Sequence, residues 1–61
     1  MDLSGKELLK LLKKNGWQVI RVEGSHHIVK KEEKLISVPV HGNKSIKKGL
    51  LNSILKDAGL K

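Results

Sequence analysis

Gly24-Ser25-His26-His27 sets a glycine turn directly before two imidazoles, and this tetrapeptide concentrates the acid–base chemistry of the chain. Imidazole, with an ordinary pKa of about 6.5, is the side chain best suited to move protons near neutral pH. If the pair opens a strand, successive side chains point to opposite faces. With Val29 turned toward a covering layer, His27 turns the same way, while His26, Ile28 and Lys30 share the opposite, open face. On residue chemistry alone His26 fits proton transfer, phosphate binding or simple exposure. His27 reads as a structural histidine, hydrogen-bonded at the edge of the core.

Other chemistries lack parts. Cysteine is absent, His26 and His27 diverge, and His41 is the one further imidazole, short of the three or four ligands a zinc site needs, so no metal is expected. Neither a G-x-x-x-x-G-K-[ST] loop nor a G-x-G-x-x-G fingerprint occurs. Ser25 beside His26 suggests a serine nucleophile, but neighbours on a strand point apart and no carboxylate is evidently placed to orient the ring. Trp17 is the sole aromatic residue, and its place after Gly16 suits a core role better than base stacking.

Charge narrows the partners. Thirteen Lys and Arg against six Asp and Glu give a net charge of +7. The excess is greatest after Pro39, where Lys44, Lys47, Lys48, Lys56 and Lys61 stand against Asp57 alone. Such a surface suits solvation and also attracts polyanions, nucleic acid foremost, with anionic membrane and acidic protein behind it. A chain of 61 residues is expected to form one domain over positions 1–61. Its lack of cysteine, of a leader-like N-terminus and of a run of about 20 apolar residues predicts a soluble cytoplasmic protein.

The elements that must position His26 follow from local patterns. Ser4-Gly5-Lys6-Glu7 has the form of a capping box, with Leu3 and Leu8 placed as a hydrophobic staple, and Leu8, Leu9, Leu11 and Leu12 form an apolar stripe. Asn15-Gly16 closes that helix, with Trp17 folding back on its last turn. Three short runs then read as strands: Trp17 to Val22, His26 to Lys31 and Lys34 to Val40, broken at Glu23-Gly24-Ser25 and Glu32-Glu33. Such short connections predict an antiparallel meander, with Pro39 at a strand end or on an edge. Ser45 is a plausible N-cap for a second helix carrying Ile46, Leu50, Leu51, Ile54, Leu55 and Ala58, closed by Gly59-Leu60. The expected fold is α+β, in the order α-β-β-β-α, with both helices packed on one face of a three-stranded antiparallel sheet.

In order and spacing the sequence resembles the HicA family, also called YcfA-like, of toxin–antitoxin mRNA endoribonucleases. The residues that carry the resemblance are Ser4-Gly5-Lys6-Glu7, Gly16-Trp17, Val19-Ile20-Arg21, Gly24-Ser25-His26-His27, Ser37-Val38-Pro39, and the closing run from Lys47 through Gly49, Leu51, Ser53-Ile54-Leu55 and Ala58 to Gly59-Leu60. Departures are modest: Val29 stands where many members carry an aromatic residue, and the Glu32-Glu33 hairpin is short. The resemblance implies a double-stranded-RNA-binding-like fold and a type II toxin that cleaves mRNA. It also implies a HicB-type antitoxin as partner, with the free toxin monomeric. It assigns catalysis to the histidine after Gly-Ser, here His26, with Gly24 and Ser25 as supporting motif residues.

Charge and position, rather than the resemblance, suggest Lys30, Lys44, Lys47 and Lys48 as phosphate contacts. The expected chemistry is metal-independent, with His26 as general base on a ribose 2′-OH or as general acid on the leaving 5′-oxygen. A non-catalytic RNA-binding module of the same fold is the alternative, and a protein that engages only an acidic partner is a further one.

Overall fold

The computed structural model describes residues 3–61; Met1 and Asp2, which begin the N-terminal stretch read above, lie outside the described residues. Helix α1 (Gly5–Lys14) starts at the expected cap. Glu7 N–H donates to the Ser4 hydroxyl at 3.3 Å, and Ser4 N–H donates to Glu7 Oε1 at 3.0 Å. The Ser4 N–H bond first, and the Ser4 hydroxyl beside the carboxylate second, hold the Glu7 carboxyl below its ordinary range. The contribution of this cap to stability is therefore complete above the ordinary carboxylate pKa and fades as pH falls through the lowered one.

Both helices end alike. After α1, Trp17 N–H donates to Leu12 O at 3.0 Å and Gly16 N–H to Lys13 O at 3.2 Å. After α2 (Lys48–Asp57), Leu60 N–H donates to Leu55 O at 2.9 Å and Gly59 N–H to Lys56 O at 3.1 Å. Each is a paired closure in which a glycine turns the chain and the next apolar residue folds back.

Strands β1 (Gln18–Glu23), β2 (His26–Lys31) and β3 (Lys34–Pro39) form an antiparallel sheet in that order. Pro39 closes β3, where its missing N–H interrupts no ladder. The β1–β2 hairpin turns on Gly24 and Ser25. Gly24 has φ +58, and nothing lies within 4 Å of a Cβ built there, so glycine is favoured for its backbone conformation and not for space.

The β2–β3 hairpin makes the same kind of turn without a glycine, since Glu32 holds φ +57. An L side chain in that region costs roughly 1–2 kcal/mol. Glu32→Gly is therefore expected to raise stability by about 1 kcal/mol after the entropic cost of glycine. Urea denaturation checks this, and an unchanged or lower midpoint would remove the strain argument.

Sheet register decides which residues share a face. Val19 pairs with Val29, but the next partners are Arg21 and Ile28, so a bulge leaves Ile20 unmatched. Cross-strand partners lie on the same side. The covered face carries Val29, Ile36 and Val38, all buried in one cluster with Leu8, Leu12, Trp17, Ile46, Leu51, Ile54 and Leu55. Helix α1 packs on β1 and β3, and α2 packs on β3. The α-β-β-β-α order and the pairing of both helices with one sheet face are as the sequence predicts.

The start of α2 differs from expectation. Ser45 is not its N-cap; the helix begins after Lys47, with no side-chain cap. Ser45 instead bridges antiparallel to Ser4, and Ile46 N–H donates to Leu3 O at 2.8 Å. This pairing holds residues 45 and 46 extended and buries Ile46, which delays the helix.

Candidate functional site

His26 opens β2 at the hairpin end of the sheet and its ring is exposed. Its cross-strand partners are Glu23 and Pro39. The ladder runs one step further, where Val40 N–H donates to Ser25 O at 2.7 Å. His26 thus stands on the uncovered face, fixed by strands on both sides. His27, the partner of Val22 and Val38, points to the covered side and is half-buried. Its Nδ1 is buried with no hydrogen-bond partner among the described residues, so the expected hydrogen bond there is not found. Trp17 is in the core, as expected, at 2% exposure, and its Nε1 likewise lacks a partner.

Glu23 is the residue the sequence reading missed. That reading assigned it to the turn, yet a loop of only Gly24 and Ser25 requires residues 23 and 26 to face one another. Loop length was the available signal. Arg21, two residues back on the same face, holds the Glu23 carboxylate through Nε at 3.3 Å. The guanidinium offsets a negative charge that would otherwise repel phosphate from the face bearing His26.

The four candidate lysines do not form one group. Lys30 shares the open face with His26 but lies four residues along β2, roughly 13 Å at strand rise. Lys44 and Lys47 flank a cavity that also includes Pro39, the neighbour of His26. Lys48 lies outside it and lines a separate hollow with Asn52, Leu55 and Lys61. Gly24 shapes the turn, and Ser25 is half-buried beside it. Among the described residues no three His, Cys, Asp or Glu side chains gather as a metal site, and no helix is long and apolar enough to cross a membrane.

A sheet covered on one side by two helices, with a histidine on its bare side and a strongly basic surface, defines a small α-β-β-β-α protein built to present one open face. The family described as the HicA toxin of bacterial toxin–antitoxin matches residues 5–60, and the chain belongs to that family. It is therefore a toxin of a toxin–antitoxin pair, with an antitoxin as its counterpart. No curated protein matches the sequence.

Proposed function

We propose that this toxin is a metal-independent endoribonuclease acting on mRNA in the cytoplasm, with His26 as its catalytic residue and a HicB-type antitoxin as the partner that covers the open face. The observation that carries the reading is the exposed ring of His26 on the uncovered side of the sheet, in a strongly basic chain that is a member of a toxin family. Neutral His26 takes the proton from a ribose 2′-OH. The 2′-oxygen attacks the adjacent phosphorus, the P–O5′ bond breaks, and the 5′-oxygen receives a proton from imidazolium or water. The products are a 2′,3′-cyclic phosphate and a 5′-hydroxyl. DNA lacks the attacking oxygen and is spared. One acid–base residue contributes about 10²–10⁴-fold in rate, so the enzyme is slow, which suffices for a toxin acting on a transcript pool.

The test is to incubate the protein with an RNA and the DNA of the same sequence in EDTA. RNA fragments ending in cyclic phosphate, with intact DNA, are the expected result. RNA bound but left full length would make the protein a binding module instead. Cleavage that stops in EDTA and returns with zinc or magnesium would replace the mechanism with a metal-assisted one.

A further inference from the structure

Beside His26, between the end of β3 and the start of α2, lies a cavity of about 280 Å³. Pro39, Ile46 and Leu50 supply its apolar walls, and His41, Lys44 and Lys47 add basic groups. None of its described lining residues is acidic. Pro39 connects the two features, being a wall of the cavity and the cross-strand partner of His26, at which separation Cβ atoms stand about 4.5–5.5 Å apart. Leu50 is 44% exposed in the first turn of α2, an apolar side chain left outside the core and turned to this space.

We infer that this cavity is a base pocket: it receives one splayed-out base of single-stranded RNA next to the scissile bond, while Lys44 and Lys47 hold the phosphate of that nucleotide. The inference rests on the ribonuclease reading and adds what that reading lacks. In-line attack requires the 2′-oxygen, phosphorus and 5′-oxygen to be aligned, and a lone ring on an open sheet does not align them. A base anchored against Pro39, the cross-strand partner of His26, fixes the ribose and the phosphate together. Single-stranded RNA is the form whose bases are free to leave the stack and enter apolar clefts. The pairing of apolar walls with cations matches a base and its phosphate, and matches neither a bare anion nor an apolar peptide. The pocket therefore sets a nucleotide preference beside the cut.

The experiment compares wild type, Leu50→Asp and the double variant Lys44→Gln/Lys47→Gln on a random-sequence RNA pool, reading fragment ends and kcat/KM. The urea midpoint of each variant is measured in parallel, to separate loss of the pocket from loss of the fold. Leu50→Asp is suited to the test because no acidic residue occupies the first turn of α2, where a carboxylate favours the helix. In wild type a preference at one position flanking the cut is expected. Both variants should lose kcat/KM on RNA by about tenfold or more and flatten that preference, with the urea midpoint kept. Wild-type cleavage with unchanged kcat/KM and preference in the variants would overturn the pocket and leave the ribonuclease standing. A wild type that cuts no RNA would remove both.

Discussion

His26→Ala is expected to lower RNA cleavage by about 10²–10⁴-fold, the contribution of a single acid–base group, and to leave the stability of the fold almost unchanged. The ring is exposed at the start of β2 and belongs to no part of the buried cluster, so its removal opens no cavity. Surface substitutions of this kind usually shift stability by no more than about 0.5 kcal/mol. The adjacent imidazole gives the opposite result. His27→Leu should keep cleavage, because the side chain points to the helices, and should be neutral or slightly stabilising, because a buried nitrogen without a partner is replaced by an apolar group. Cleavage assays and urea denaturation on the two variants check both statements. Undiminished cleavage by His26→Ala would end the assignment of chemistry to that ring.

Gly5→Ala should destabilise the protein by about 1–3 kcal/mol. Gly5 is the first residue of α1 and is buried against the end of β3. A Cβ placed there would collide with Pro39 O, and would come within 2.8 Å of Val40 Cα and 2.9 Å of Val40 Cγ2. Two of these are backbone atoms, so the clash cannot be relieved by turning a side chain. Helix propensity alone argues the other way, since alanine exceeds glycine by roughly 0.8–1 kcal/mol within helices. The sign of the measured change therefore decides which effect wins. Against a total stability of roughly 3–9 kcal/mol for a chain of this length, the loss is large. Pro39 also pairs with His26, so cleavage should fall along with the urea midpoint. A stabilised variant would show that the helix start moves away freely.

The parts of this fold legible in the sequence are those set by neighbours along the chain. Ser4 and Glu7 announced a cap three residues wide, Gly16 and Gly59 announced helix ends, and strand alternation separated His26 from His27. What escaped were features set by distant chain segments meeting. Ser45 had the right side chain for a cap, but pairing with Ser4 kept its backbone extended. The bulge at Ile20 carries no proline or glycine to mark it. Glu23 became visible as the partner of His26 once the two-residue loop fixed the register, and the cavity beside Pro39 exists only because α2 begins near the end of β3. Nothing near Gly5 in sequence shows that Pro39 and Val40 press against it.

Trp17 brings an optical consequence. With no tyrosine or phenylalanine in the chain, ultraviolet emission comes from this one indole, held at 2% exposure on the side of the sheet away from His26. The wavelength of that emission reports whether the covered layer is closed and is insensitive to what happens on the bare layer. A dead variant whose emission stays at the shorter wavelength of a buried indole has lost its chemistry, and one whose emission moves to longer wavelength has lost its shape.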